Sequence, residues 1–330
     1  MHEPATSPAS TSSPSSLFIG PDGLRAGWSL LLAIVLYGVL FPTTNILAHK
    51  THLVAPHVLE HSPNPLPVLI AETIAFLVTL LVTWIMSKIE HRPLSVYGLG
   101  GQHKLSRLLV GALWGVLLLS LLVLLLVKAG LLIIDGRLLF GADAPRYALA
   151  WIPGFLAIGL FEEYFFRGYL QYTLSRGLAS LYRRFLKANH SQSLGFWTAA
   201  VLVSFGFGLV HGSNPGESPI GLVSAGLVSL VFCLSLWRTG SLWWAVGLHA
   251  AWDWAQSFLY GVADSGATVG FHLLATHPLG NPLLSGGSTG PEGSIFVLPV
   301  LLLLTLIILF TLPRTHNGYA RQLPTESIEP

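Results

Sequence analysis

Long apolar segments make up most of this chain, and polar residues fall mainly between them. A membrane-spanning helix needs about 20 consecutive, mostly apolar residues. Eight segments reach or approach that length, and each predicts one transmembrane helix. They are residues 27–48, 67–87, 106–134, 148–172, 194–212, 219–237, 241–263 and 294–313. The pattern therefore predicts an all-α fold class, a polytopic membrane bundle of about eight transmembrane helices.

The two ends of the chain differ from this apolar region. Residues 1–26 are rich in Ser, Pro and Thr, which predicts a disordered tail. Residues 314–330 are predicted to form a C-terminal tail, and residues 27–313 the membrane domain between the two tails. Lys and Arg are concentrated after the second, fourth, sixth and eighth apolar segments. Because positive residues favour the cytoplasmic side, both tails are expected in the cytoplasm.

Composition agrees with an integral membrane protein whose surroundings are the lipid bilayer. The 330 residues are 52% hydrophobic and only 10% charged, whereas soluble domains carry about 25% charged residues. The formal net charge of +2 gives no indication of a nucleic-acid partner. Cys233 is the single cysteine, which excludes a disulfide within the chain.

Ionisable residues inside the apolar segments are the candidates for function. Such residues are costly in lipid, so they usually face a bundle interior or a water-filled cavity. Lys128, near the end of the third segment, is expected to extend its amine towards the membrane surface instead. The candidates on the fourth, fifth and seventh segments are Glu162, Glu163, Arg167, His211, His249 and Asp253.

Helical spacing indicates which of these side chains can act together. Glu163 and Arg167 are four residues apart, so they share a helix face and can form an ion pair. Glu162 is rotated by about 100° from Glu163 and is free to face a cavity. His249 and Asp253 are also four residues apart.

These groups are sufficient for peptide-bond hydrolysis with water as the nucleophile. One glutamate held by the arginine and a second acting as a base could share the activation of water with a histidine. A second histidine could donate a hydrogen bond to the developing oxyanion. Spacing alone does not decide which glutamate has which role. Each motif also has a structural interpretation: an interhelical Glu–Arg clamp, a buried histidine, or a His–Asp pair that locks a helix.

Three ordered motifs resemble the CPBP family of CAAX proteases and bacteriocin-processing enzymes, also called the ABI family. The motifs are Glu-Glu-x-x-x-Arg at residues 162–167, Phe-x-x-x-His at residues 207–211 and His-x-x-x-Asp at residues 249–253. The resemblance covers roughly residues 90–313. The stretches "RPLSVYGLGG" (92–101) and "SGGSTGPEGS" (285–294) are similar to bacterial members, so a bacterial cell membrane is expected. Glu292 in the second stretch is expected in a loop at the mouth of the last helix.

The resemblance implies an intramembrane endopeptidase. By this resemblance, Glu162 and His211 would activate the hydrolytic water, and His249 and Asp253 would stabilise the oxyanion. Glu163 and Arg167 would support that geometry. The eukaryotic CAAX endoprotease has Asn where this chain has Asp253. The expected substrate is a membrane-associated protein or peptide, with a prenylated tail and a leader peptide as candidates.

No cofactor is expected, although zinc remains an alternative because two histidines and several carboxylates could bind it. The His-Glu-x-x-His motif is absent from the sequence, and Arg167 adds a cation near the carboxylates. Two other functions also remain open: a transporter that uses the same groups as a proton relay, and a catalytically silent membrane protein of the bacteriocin-immunity type. No internal repeat supports a transporter.

One geometric condition follows from the predicted boundaries. Glu162 lies near the middle of the fourth segment, whereas His211 lies at the end of the fifth. These side chains can meet only if the fifth helix starts later than predicted, breaks at "GFG" (206–208), or belongs to a strongly tilted bundle.

Overall fold

The protein is a bundle of helices connected by loops and two small strand pairs. The computed structural model describes residues 17–20, 23–51, 53, 64–188 and 190–313. The described helices of more than ten residues are α1 (Ala26–Lys50), α2 (Pro65–Ile89), α3 (Lys104–Lys128), α4 (Asp143–Leu186), α5 (Ser191–Val210), α6 (Pro219–Thr239), α7 (Trp243–Trp254) and α8 (Val297–Thr311). This architecture confirms the predicted all-α membrane bundle.

Six of the helices in these described ranges, α1 to α6, are long and apolar enough to cross a membrane. The helices α7 and α8 are shorter, with 12 and 15 residues. A π-helical turn, Ala255–Leu259, extends α7. Each of the eight predicted segments therefore overlaps one of these helices, which agrees with about eight transmembrane helices.

In the part of the chain that the structure describes, two antiparallel strand pairs lie outside the helices. Strand β1 (Ile19–Gly20) pairs with β2 (Gly23–Leu24), and β3 (Leu132–Arg137) pairs with β4 (Leu274–Pro278). The third segment was predicted to be helical to residue 134, which is wrong for its last residues. Gly130 has a φ of +71°, a left-handed conformation that terminates helices, and the chain then enters β3.

The fourth helix is longer than its predicted segment at both ends. α4 continues to Leu186, through a π-helical stretch at Glu163–Leu170. Arg176, Arg183 and Arg184 were expected in the following connection and instead lie on α4. The helix continues because its last turns pack against α5, where a Cβ on Gly195 would lie 2.7 Å from the Ala179 backbone nitrogen.

Helix α7 lies between α3 and α4 and is the most enclosed helix around the site. Glycines on α3 allow a close approach of the two backbones: a Cβ on Gly115 would lie 3.0 Å from the backbone nitrogen of Trp252. Gly247 on α7 faces the Leu108 carbonyl of α3 in the same way. Small residues at helix contacts allow such packing in membranes. The position of α7 is therefore fixed from two sides.

The predicted tails fall largely outside the description. Residues 1–16 and 314–330 lie outside the described ranges, as do His52, His57 and His61 of the segment after α1. The described part of the N-terminal segment contains the β1–β2 pair. The domain limits at 26/27 and 313/314 remain predictions.

Candidate active site

A buried ion pair lies at the π-helical stretch of α4. One guanidinium nitrogen of Arg167 is 3.1 Å from Oε1 of Glu163, and both side chains are fully buried. The guanidinium carbon also lies 4.0 Å from the ring centroid of Phe207 and 5.6 Å from that of Phe232. The two aromatic faces add a favourable interaction with the cation. The predicted pairing of Glu163 and Arg167 is therefore present.

His249 of α7 joins this ion pair to the cavity. Its Nδ1 lies 2.9 Å from Oε1 of Glu163, the same oxygen that Arg167 contacts. Its Nε2 lies 3.7 Å from Oε2 of Glu162 and 3.5 Å from Oδ2 of Asp253. One ring nitrogen is therefore held by the buried pair, and the other faces two carboxyl groups at the cavity wall.

His211 reaches the same cavity from α5. Its Nδ1 is 2.7 Å from the carbonyl oxygen of Phe207, and its ring lies 4.6 Å from the ring of Phe207. Because a carbonyl oxygen only accepts hydrogen bonds, the Nδ1–H is the donor, and Nε2 of the neutral ring is an acceptor. Helix α5 runs without a break through Gly206 and Gly208. The two helices thus bring Glu162 and His211 to one cavity without the break at "GFG".

The cavity has a volume of about 310 Å³. Its polar part contains Glu162, His211, His249 and Asp253, and its apolar walls come from α2, α4, α5, α6, α7 and α8. Along α4 the lining residues are Trp151, Phe155, Ile158 and Glu162, which form one helical face that ends at the carboxyl group. An apolar peptide or lipid-like segment could lie against these walls, with a polar bond of the same molecule placed beside the Glu162 carboxyl group.

Loops between α5 and α6 and between α7 and α8 form another wall of this cavity. The Asn214 amide donates to the carbonyl oxygen of Ser265 at 2.8 Å, and Glu292 accepts hydrogen bonds from the backbone N–H and the hydroxyl of Ser265. Asp264 accepts a hydrogen bond from Ser257 at 3.2 Å. Burial, together with the nearby Asp264, raises the pKa of Glu292 to about 8.

The structure also adds lining residues that the sequence did not single out. Glu72 on α2, Asn214 and Asp264 all line the cavity, and the loop residue Glu292 lies there with them. Glu72 could have been identified, because it is the only acidic residue within α2. Asp264 and Asn214 lie in loops and carry no comparable signal. Lys128 is exposed at the end of α3 and does not line the cavity.

The geometry around His249 bears on the zinc alternative. Among the residues that the structure describes, no group of three or more His, Cys, Asp or Glu side chains could hold a metal ion. Nδ1 of His249 is engaged by Glu163, and the Arg167 cation lies beside that carboxylate. The atoms beside Nδ1 of His249 are therefore arranged as a hydrogen bond and an ion pair.

These features define a class: a polytopic helical membrane protein with a carboxyl–imidazole cluster inside the bundle. Residues 144–255 match the family model of the type II CAAX prenyl endopeptidase Rce1-like proteins. The match covers about a third of the chain and includes all six predicted site residues. The match of this segment to the Rce1-like CAAX proteases confirms the resemblance found from the motifs.

Comparison with curated proteins and with solved structures gave no match. The family match supports an intramembrane endopeptidase in general, acting on a protein substrate in a membrane. It also agrees with the multi-pass membrane architecture of the helices.

Proposed function

We propose that this protein is a glutamic-type intramembrane endopeptidase that hydrolyses a peptide bond of a membrane-associated protein or peptide. The observation that carries the proposal is the meeting of three helices at one cavity. Oε2 of Glu162 and Oδ2 of Asp253 both lie within 3.7 Å of Nε2 of His249, and the buried Glu163–Arg167 pair holds the other side of that ring.

Glu162 and His211 activate the water in this proposal. The carboxylate of Glu162 accepts a proton from water while the water oxygen attacks the scissile carbonyl carbon. Nε2 of His211 accepts the second hydrogen bond of that water, because Nδ1–H is used by the Phe207 carbonyl. When the carbon–nitrogen bond breaks, the proton on Glu162 passes to the leaving amine. The products are a carboxylic acid and an amine.

His249 stabilises the oxyanion of the tetrahedral intermediate. This role requires a hydrogen on Nε2. Because Nδ1–H donates to the Glu163 carboxylate, His249 acts as an imidazolium. The carboxyl groups of Glu162 and Asp253 lie 3.7 and 3.5 Å from Nε2. Glu163 fixes the ring orientation through Nδ1, and Arg167 fixes Glu163. A preorganised donor of this kind is worth about 10²- to 10³-fold in rate. Asp253 orients the imidazole from the same helix.

The substrate would be a prenylated C-A-A-X tail or a leader peptide presented by the bilayer. The apolar face of α4 that leads to Glu162 supports a substrate with a lipid-like or apolar segment. We also propose the orientation expected from Lys and Arg, with both termini cytoplasmic, and a bacterial cell membrane as the location. No cofactor is part of this mechanism.

Purified protein in liposomes tests the proposal with a farnesylated peptide that ends in C-A-A-X. We expect cleavage, detected by mass spectrometry, and a loss of about 10²- to 10⁴-fold in the Glu162→Gln variant. Asp143→Asn, which neutralises an exposed carboxyl group on the same helix, is the matched control and should keep wild-type activity. A chelator should leave the rate unchanged.

Cleavage that persists at the wild-type rate in Glu162→Gln would overturn the mechanism. Loss of cleavage in the chelator, restored by added zinc, would contradict the metal-independent part alone. If the wild-type protein cleaves neither this peptide nor any membrane protein in a comparative peptidomics experiment, the proposed function is wrong. Glu162-dependent proton flux across the liposomes would then favour a transporter.

A further inference from the structure

Five carboxyl groups of the described residues line the cavity, and one of them differs from the others. Glu162 and Asp253 face His249, Asp264 accepts a hydrogen bond from Ser257, and Glu292 accepts two from Ser265. The fifth is Glu72. Within the described ranges of the chain, no group donates a hydrogen bond to its carboxyl or forms an ion pair with it.

Glu72 and His249 reach the cavity from two helices that pack on different faces of α4. Gly154 of α4 faces α2, whereas Gly159 faces α7, and these two positions are rotated by about 140° from each other. Val68 and Glu72, four residues apart on α2, line the cavity together and form its wall on the α2 side. Glu72 interacts electrostatically with Glu162, and His249 lies 3.7 Å from Glu162. Glu162 is therefore flanked by a hydrogen-bond donor and a hydrogen-bond acceptor.

When water attacks a peptide bond, the carbonyl oxygen and the nitrogen of that bond need different hydrogen-bond partners. The oxyanion needs a donor, and the leaving nitrogen carries an N–H that needs an acceptor. These two atoms are different substituents of the same carbon, so they point in different directions. If the oxyanion is at Nε2 of His249, the nitrogen can point towards α2. A carboxyl group in an apolar wall gains most from such a donor, because unsatisfied polar groups are costly there.

We propose that Glu72 is a substrate-binding residue whose carboxyl accepts a hydrogen bond from the N–H of the scissile peptide bond. The inference rests on the proposed function and adds a specificity for amides over esters. An ester has an oxygen in place of this N–H and offers Glu72 no donor. Glu72 therefore accelerates hydrolysis of the peptide and has little effect on hydrolysis of the matching ester.

The test compares an amide with its ester. The probe is the farnesylated peptide that ends in C-A-A-X, after mass spectrometry has identified the cleaved bond, together with the same peptide carrying an ester at that bond. For the amide, kcat/KM should fall about tenfold to hundredfold in Glu72→Leu, the range expected for a hydrogen bond to a charged group. Glu72→Gln, which keeps an acceptor oxygen, should lie between Leu and wild type. For the ester, the kcat/KM values of wild type, Glu72→Leu and Glu72→Gln should agree within about threefold.

Each outcome has a distinct meaning. Ester hydrolysis at the wild-type rate shows that a variant is folded with an intact catalytic centre, so a selective loss of amide hydrolysis supports the inference. Equal losses for the two substrates, or no loss for either, overturn the inference and leave the proposed function standing. If wild-type protein hydrolyses neither substrate and cleaves no membrane protein in the peptidomics experiment, the proposed function is overturned and the inference with it.

Discussion

Arg167 has two kinds of partner inside the bundle. One guanidinium nitrogen contacts Glu163, whereas Nε and the second terminal nitrogen have no hydrogen-bond partner among the described residues. The rings of Phe207 and Phe232 lie beside the guanidinium group instead. A buried ion pair contributes little net stability because both charges lose their hydration. Its value here is orientation, since Glu163 also contacts His249.

Replacement of Arg167 should therefore affect both stability and activity. Arg167→Leu leaves Glu163 without its cation in a fully buried position. We expect about 3 kcal/mol of destabilisation, typical of breaking a buried pair, and a loss of peptidase activity. The double variant Glu163→Leu with Arg167→Leu should regain most of the stability but not the activity, because His249 loses its support at Nδ1. Thermal unfolding in detergent and cleavage of the farnesylated peptide measure the two effects.

The contrast between the single and double variants decides the roles of the pair. If the double variant is as unstable as Arg167→Leu, the loss does not come from an uncompensated charge. If the double variant regains activity together with stability, the pair is only a structural clamp, as one interpretation of the sequence allows.

At the scale of the elements, the contact of α3 with α7 determines where His249 lies. Gly111 and Gly115 on α3 and Gly247 on α7 lie at this contact. A side chain at these positions would meet backbone atoms of the neighbouring helix, and backbone cannot move aside as a flexible side chain can. The glycines therefore set the separation of the helices and, through it, the distance from His249 to Glu163.

Gly115→Ala should push α7 away from α3. The added Cβ would lie 3.0 Å from the Trp252 nitrogen and closer still to the Leu248 carbonyl oxygen. Overpacking of this kind costs about 1–3 kcal/mol, and we expect lower peptidase activity because His249 moves. Gly38→Ala on α1, where a Cβ meets nothing within 4 Å, is the matched control. Unfolding temperature and cleavage rate are the measurements, and equal behaviour of the two variants would contradict the argument.

The sequence could predict the helices because an apolar segment of sufficient length is a strong signal. It could not predict where α3 ends, since Leu132–Arg137 is as apolar at its start as the helix before it, and its pairing with Leu274–Pro278 is a long-range contact. The extension of α4 to Leu186 was missed because the basic residues were interpreted as a loop.

The motif residues could be named from the sequence, and their spacing predicted the Glu163–Arg167 pair. The contact of His249 with Glu163 could not be predicted, because it joins residues of two helices 86 positions apart. The same limit applies to Asp264 and Glu292, which reach the cavity from loops. Local spacing carries no information about such contacts.

At the scale of the whole molecule, three loop segments close one end of the cavity. Besides the Asn214–Ser265 contact, the hydroxyl of Ser288 donates to the Gly216 carbonyl at 2.8 Å, and Thr289 donates to Glu217 at 3.0 Å. Glu292 therefore belongs to a network that joins the loops before α6, after α7 and before α8. Ionisation of Glu292 should therefore lower the stability of the whole fold.

Stability should fall with rising pH in a way that depends on Glu292. Its pKa is raised by burial and by Asp264 from 4.5 to about 8, so between these values the folded chain holds a proton that the unfolded chain has lost. This contribution is fully present below about pH 4.5 and is lost as the pH rises through about 8. The pKa of Asp264 is also raised, mainly by burial, and adds a slope of the same sign in any variant that keeps it.

Glu292→Gln stays neutral and keeps an acceptor for Ser265, so its unfolding temperature in detergent should decline less between pH 5 and 8 than that of the wild type. Asp143→Asn controls for the loss of a carboxyl group and should follow the wild-type curve. Parallel curves for wild type and Glu292→Gln would mean that this carboxyl group does not hold its proton in the folded protein.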